Sequence, residues 1–330
     1  MKIAYLLLAH KNPGQLARLI ARLQGPDVGF FIHIDKKSDI VPFIKKIGET
    51  GNIRFIKQRH KVYLRGYNSI SATLALIDEA RPSNPKYHVL LSESCYPIKA
   101  RDHIVDFLGN HDGREYISFF KLTHRPVWLK KIKHYYRWDS RFAQRGTKWH
   151  PFAWRYLRLQ KQLKNILPER RFFKGLTPYG GSQWFMLTND CATYASDYIR
   201  NNREFARFYR YTDVPNELIF QTVILNSPFA DKVTNWHAYQ DQEKRAEIHS
   251  RWPCPSASYN FKYIDWSADR QDSPTHPVVL DERDFDALCQ SNCLFARKFD
   301  PNRSQKLMEK IDAMLLVLIA FFNVATLGLI

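Results

Sequence analysis

Acidic residues are scarce: 32 Asp and Glu stand against 50 Lys and Arg in 330 residues, a formal charge of +18. That surplus exceeds what solubility requires, so an anionic partner is expected: nucleic acid, an acidic membrane surface or a phosphorylated small molecule. Cysteine is sparse too. Cys95, Cys191, Cys254, Cys289 and Cys293 form an odd, scattered set with no CxxC pair and no histidines at zinc spacing. This argues against a zinc site and for reduced thiols in a cytosolic setting. Cys289 and Cys293 are spaced to share one face of a helix, a packing feature. No GxxxxGK phosphate loop, GxGxxG fingerprint or GxSxG elbow is present, which removes the main support for P-loop, dinucleotide-dehydrogenase and serine-hydrolase readings. Internal repeats and low-complexity segments are absent as well.

Long apolar runs are few. Met1-Lys2 followed by Ile3 to Ala9 starts like a signal peptide, but the run is too short and ends at His10-Lys11-Asn12-Pro13-Gly14 without a small-residue cleavage site, so it reads as a buried first strand. Ala313 to Ile330 is an 18-residue stretch without a charge, at the lower limit for spanning a bilayer. Either it inserts, with Lys306 and Lys310 beside anionic headgroups, or it is an apolar helix packed on the domain or on a partner subunit. The expectation is a cytoplasmic protein, associated with an anionic membrane surface through its basic surface and the 306–330 tail.

What the sequence does have is rhythm. Strand patterns at Ile3–Ala9, Gly29–Ile34, Ile53–Ile56 and Tyr87–Leu91 alternate with helical patterns at Pro13–Leu23, Ile40–Ile47 and Ser69–Ala80. Such alternation predicts an α/β fold with a doubly wound, mostly parallel sheet, whose ligands sit at the carboxyl ends of the strands. The loops His10-Lys11-Asn12, Asp35-Lys36-Lys37 and Ser92-Glu93-Ser94 are therefore the first candidates for a site. From about 120 to 175 a basic, aromatic, helical insertion follows, in which Lys130, Lys131, Lys133, Arg137 and Arg141 interleave with Trp128, Tyr135, Tyr136 and Trp138. Such a patch can bind single-stranded nucleic acid, sugars or phosphates, or be a solvated helix. No nucleic-acid motif accompanies it, so nucleic acid is not expected as the partner. Gly180-Gly181 reads as a turn feeding a strand over 182–187. Helices begin near Asp190 and near Pro215, the second opened by Asp213. Past Trp236 the chain reads as loop, with Pro253, Pro255, Pro274 and Pro277, before a last helix over Asp281–Gln290.

Three segments in order, Ala4-Tyr5-Leu6-Leu7-Leu8-Ala9-His10, Phe31-Ile32-His33-Ile34-Asp35-Lys36-Lys37-Ser38 and Leu90-Leu91-Ser92-Glu93-Ser94-Cys95-Tyr96-Pro97-Ile98-Lys99, resemble the donor half of the core-2/I-branching N-acetylglucosaminyltransferase and peptide xylosyltransferase family. The match continues through Gly180 to Thr188, Val214-Pro215-Asn216-Glu217 to Asn226-Ser227-Pro228, and Leu294 to Asp300, covering about residues 3 to 300. The resemblance implies a GT-A type glycosyltransferase fold over 1–305, with a donor half over about 1–115 and an acceptor and diphosphate half over about 176–305. It also implies inverting, metal-independent transfer of GlcNAc or xylose from a UDP-sugar to a glycan, glycolipid or peptide hydroxyl, with no cofactor beyond the donor itself.

On that resemblance Glu217 matches the catalytic base. Its place after Pro215, in the first turn of a helix, would favour the ionised form. Arg297 and Lys298 match the residues that hold the leaving diphosphate in place of a metal. A further arginine in some members falls near His276, with Arg270 slightly earlier. Asp35 matches the nucleoside contact beside His10, and Ser92, Glu93 and Ser94 would close over the donor. Arg65 stands where a tryptophan is usual. Gln183, Trp184, Trp236, Asp265 and Trp266 are the acceptor candidates, since aromatic faces stack on sugars and carboxylates hold hydroxyls. Asp284-Phe285-Asp286, the one Asp-x-Asp, reads as helix capping. A different class stands beside this reading: a basic, non-catalytic protein that binds nucleic acid or anionic glycan.

Overall fold

The protein is described here by a computed structural model covering residues 2–143, 150–244, 259–273 and 276–327. Its first half runs β1 (Ile3–Ala9), α1 (Pro13–Leu23), β2 (Val28–Ile34), α2 (Val41–Ile47), β3 (Ile53–Phe55), α3 (Asn68–Ala80), β4 (Tyr87–Ser92), β5 (Cys95–Pro97), α4 (Arg101–Asn110), β6 (Tyr116–Ile117) and β7 (Phe120–Lys121). The insertion holds α5 (Pro126–Lys133) and α6 (His150–Ile166). There follow β8 (Tyr179–Gly180), β9 (Phe185–Thr188), α7 (Asn189–Asn201), α8 (Arg203–Arg210), α9 (Ile219–Leu225), α10 (Trp236–Lys244), β10 (Lys262–Ile264), α11 (Phe285–Gln290), β11 (Phe295–Arg297) and α12 (Gln305–Leu327).

The central sheet has the order β3-β2-β1-β4-β9-β6. β1 pairs in parallel with both β2 and β4, and β2 with β3, whereas β9 runs antiparallel to β4 and to β6. The alternating strand and helix pattern thus builds the parallel part, and an antiparallel extension completes it. β1 and β2 are apolar on both faces because both faces are covered. Ala4 and Leu6 point into the core under α3 and α7, and Ile3, Tyr5 and Leu7 into the core under α1 and α4. Strand order reverses at β1, between β2 and β4, so the crevice beyond the ends of β1, β2 and β4 is where a ligand is expected.

Two small sheets frame that crevice. β11 joins β10 in parallel and β5 in antiparallel register, which sets Arg297 opposite Cys95. β7 pairs with β8, so Gly180 ends a strand where the sequence suggested a turn. Gly181 follows with no room for a side chain: a Cβ there would lie 1.9 Å from the Ser118 carbonyl oxygen.

Some sequence expectations fail for identifiable reasons. Trp236 opens a helix, so the chain does not turn to loop at that point. Cys289 lies in α11 but Cys293 lies past its end, so they share no helix face. Cys95, Cys191, Cys289 and Cys293 are free thiols. Cys254, Pro253, Pro255, Pro274 and residues 328–330 fall outside the described residues. The C-terminal segment is docked over its first half: Leu307, Met308, Ile311 and Leu315 of α12 are buried against Tyr96, Ile98 and Phe299. Asp312 accepts from Arg18 at 2.8 Å and from the Tyr96 hydroxyl at 2.7 Å, and pairs with Arg22 at 3.0 Å. Among the described residues no helix is long and apolar enough to cross a membrane.

Candidate active site

The strand ends converge as the topology requires. The Asp35 amide donates to the Ala9 carbonyl at 2.8 Å, and His10 Nδ1 meets Glu93 Oε1 at 2.7 Å, bridging the ends of β1 and β4. Asp35, Ser92, Glu93 and Ser94 are all buried, while His10 stays exposed. Asp35 is partly engaged within its own turn, accepting from the Lys37 amide at 2.9 Å and pairing with Lys37 Nζ at 3.2 Å.

β11 delivers Arg297 to this crevice. Its Nη1 donates to Ser92 Oγ at 2.5 Å and to Ser94 Oγ at 2.6 Å, and its Cζ lies 4.8 Å from the centre of the Trp184 ring. Lys298 follows it, pushed below its ordinary pKa by burial and by the charges of Arg297 and Lys11. Exposed His276 is lowered by burial and then by Lys298 and Arg297. Arg297, Lys298, Lys11 and His276 therefore form one electropositive cluster, a ready seat for an anion. Arg270 is not part of it. It forks onto Asp284 at 2.7 and 2.9 Å and reaches Asp265 at 3.1 Å.

Asp284 also closes a capping box with Asp281, in keeping with the capping role read from the sequence. Among the described residues no group of three or more His, Cys, Asp or Glu side chains could hold a metal ion.

Glu217 lies at the far end of a short chain segment from Arg297. Its carbonyl accepts from the Gly181 amide at 2.8 Å, and Asn216 donates to the Gln183 side chain. Since Gly181 and Trp184 are three residues apart, their backbones are at most about 10 Å apart. The sequence put Glu217 in the first turn of a helix with its charge favoured. Instead it ends a 3₁₀ turn, Pro215–Glu217, ahead of α9. The residue is half-buried, and the surrounding protein raises its pKa to about 7. Desolvation is the largest cause, opposed by Lys131 and Arg65 and reinforced by Asp213.

Asp213 does not cap a helix. It takes a bidentate pair from Arg65, with Nε at 2.7 Å, while Lys131 stands 3.9 Å away. The adjoining Val214 has φ 45°, a left-handed conformation that a β-branched residue rarely adopts. Such strain costs about 1–3 kcal/mol and persists where neighbours enforce it; here the Arg65–Asp213 pair adjoins it.

The acceptor candidates scatter. Gln183 is beside Glu217. Trp184 is buried between the two ends of the site, against Arg297 and against Lys262, whose Nζ is 4.5 Å from the ring centre. Asp265 follows β10 beside the β11 strand, its carboxylate occupied by Arg270 and by the Ser267 amide at 2.8 Å; half-buried Trp266 is next to it. Trp236 departs most. It is 7% exposed and packs on Phe119, Tyr179 and Tyr239 with ring centres 5.5 to 6.2 Å apart, so its indole fills the core and offers no face to a sugar. Trp236→Ala should therefore lower unfolding stability by about 3–5 kcal/mol, read from denaturant midpoints, with an unchanged acceptor KM.

Sequence reasoning missed Lys11, Lys131 and Lys262 as members of the site and named Arg65 without its pairing to Asp213. Lys11 sits in a flagged loop and Lys131 in the flagged basic insertion. Lys262 has no such signal, being one lysine in an apolar strand. Burial pushes its pKa down to about 8, with Cys95 opposing and Arg297 adding to the effect. Its Nζ reaches the Leu90 carbonyl at 3.3 Å and Cys95 Sγ at 3.7 Å. Burial alone would raise the Cys95 thiol, but Lys262, Arg297 and hydrogen bonds with Ser92 together outweigh it and leave it below its ordinary value.

Comparison with known proteins now bears on this geometry. A model of the core-2/I-branching enzyme family matches residues 3–289. The chain is 24% identical over 96% of its length to "Xylosyltransferase oxt" of Drosophila melanogaster, covering 33% of that protein. It is 23% identical to human "Xylosyltransferase 1" and 25% identical to "Xylosyltransferase 2" of Canis lupus familiaris, in each case over 94% of this chain, covering 30% and 33% of those proteins. The chain thus spans about a third of the length of the curated relatives it matches.

Proposed function

The chain belongs to the core-2/I-branching enzyme family, and on that premise we propose that it is an inverting glycosyltransferase carrying GlcNAc or xylose from a UDP-sugar to a glycan, glycolipid or peptide hydroxyl without a metal ion. The observation that carries the reading is the pairing of Glu217, poised near neutrality, with the Arg297 cluster across the Gly181–Trp184 segment. A half-buried carboxyl held near pH 7 is suited to take a proton from an acceptor hydroxyl.

In the proposed step the acceptor O–H gives its proton to Glu217 as its oxygen bonds to the anomeric carbon. The bond from that carbon to the diphosphate oxygen breaks, and UDP leaves with the electron pair. Arg297 offers a planar fork and Lys298 a compact charge to the departing diphosphate, and Lys11 adds to the field. Ser92 and Ser94 hold the guanidinium in place before donor arrives. Asp35 and His10 are the nucleoside contacts in this scheme.

Screening UDP-GlcNAc, UDP-xylose and UDP-glucose for UDP release, with and without EDTA, tests the proposal. Turnover that persists in EDTA supports it; turnover abolished by EDTA and restored by manganese would overturn the metal-free assignment.

The pH dependence follows from the sign of the Glu217 shift. A base works deprotonated, so kcat/KM should fall as pH drops through about 7, an acid limb well above the usual carboxylate range. Asp213→Asn removes a negative charge that raises the Glu217 pKa and releases Arg65 and Lys131 toward it. The limb should then move to lower pH. A limb that stays in place in this variant would show that another group sets it.

A further inference from the structure

A second basic site lies away from this crevice. The spacing of Arg203, Arg207 and Arg210 at i, i+4 and i+7 puts them on one face of α8, where like charges repel. Together with Arg200 at the end of α7 they line a groove of about 340 Å³, closed by Tyr67 at the start of α3 and by His60 from the loop after β3. Asp78 pairs with Arg200. Among the described residues Arg203, Arg207 and Arg210 form no ion pair within 4.0 Å, although Arg210 lies 5.0 Å from the centre of the Tyr67 ring. His60 Nε2 is buried with no hydrogen-bond partner.

Three exposed guanidiniums on one face repel one another around a concave space of ligand size, and a multiply negative occupant would relieve that repulsion. None of the residues assigned to the donor or to Glu217 lines this groove.

We propose that this groove is a binding site for a phosphoryl group carrying at least two negative charges, a diphosphate or phosphomonoester, gripped by Arg203 and Arg207. Guanidinium forks match phosphate oxygens two at a time. The bound group would sit against elements that lead to both halves of the proposed catalytic region. His60 accepts from the Lys36 amide at 2.9 Å, and the adjoining Arg59 donates to the Ile34 and Asp35 carbonyls at 2.9 Å, which steadies the Asp35 loop. α8 leads directly into Asp213 and the Glu217 turn.

Calorimetric titration with inorganic pyrophosphate tests this, using the whole chain, an Arg203→Gln/Arg207→Gln variant and an Arg297→Ala/Lys298→Ala variant that removes the first anion cluster. Binding should persist in the second variant and weaken about tenfold or more in the first. Both substitutions in the first variant are on exposed side chains, and circular dichroism checks its fold. A parallel sedimentation assay with phosphatidic acid or phosphatidylcholine vesicles assigns the source. Arg203/Arg207-dependent binding to phosphatidic acid alone identifies a lipid headgroup, and dependence in the pyrophosphate arm alone identifies a free phosphate compound. If neither arm depends on Arg203 and Arg207, or if all pyrophosphate binding disappears with Arg297 and Lys298, the proposal is wrong.

Discussion

Glu217→Gln lowers kcat for sugar transfer by about 10²- to 10⁴-fold, the usual contribution of a positioned acid or base, and leaves UDP affinity unchanged. Glutamine keeps the size and the polar rim of the side chain but cannot take the acceptor proton. The geometry makes this separation possible, because the carboxylate is set among Lys131, Asp213 and Arg65 while the cluster proposed for the diphosphate is at Arg297. The variant should also be slightly more stable than the parent at pH 8. A carboxyl whose folded pKa is raised from 4.5 to about 7 favours the folded state only when protonated, so its ionisation opposes folding as pH rises from the unfolded value through 7. Neutral glutamine carries no such penalty. A helix-capping Glu217 would behave oppositely, losing stability on substitution with transfer intact.

Arg297→Ala should cut kcat by about 10²- to 10³-fold, the range found when one preorganised donor to a developing negative charge is removed, and should raise the donor KM as well. Three contacts go at once: the bonds to Ser92 and Ser94 and the packing on Trp184. Arg297→Lys keeps the charge but lacks the fork, so it should recover only part of the loss. Thermal shifts with UDP separate the two components. The wild type should be stabilised by UDP and Arg297→Ala far less. Equal stabilisation would place the diphosphate elsewhere.

The parallel core of the fold was legible because its signals are local. Ile3–Ala9 and Pro13–Leu23 match β1 and α1 residue for residue, since a strand buried on both faces is uniformly apolar and a surface helix is periodic. Ser92, Ser94 and Arg297 were found from the family resemblance, and the structure brings them within hydrogen-bonding distance across more than 200 residues of sequence. Other features depend on contacts that local pattern does not encode. Asp213 looks like a helix cap before Pro215, but its partner Arg65 is 148 residues away. Trp236 carries the side chain of a sugar platform, and only the ring packing of Phe119, Tyr179 and Tyr239 reveals it as core. The Glu217 environment was misjudged for a similar reason. A helix-start position suggests an easily ionised carboxylate, whereas desolvation, set by the whole surrounding protein, reverses the sign of the shift.

One measurement tests the central claim that a single carboxylate at Glu217 drives direct displacement at the anomeric carbon. Proton NMR can follow the anomer first released when the protein hydrolyses an α-linked UDP-sugar in the absence of acceptor. The account predicts that the β-anomer appears first and that its formation collapses in Glu217→Gln. Release of the α-anomer first, or an equal rate in the Glu217→Gln variant, would contradict it.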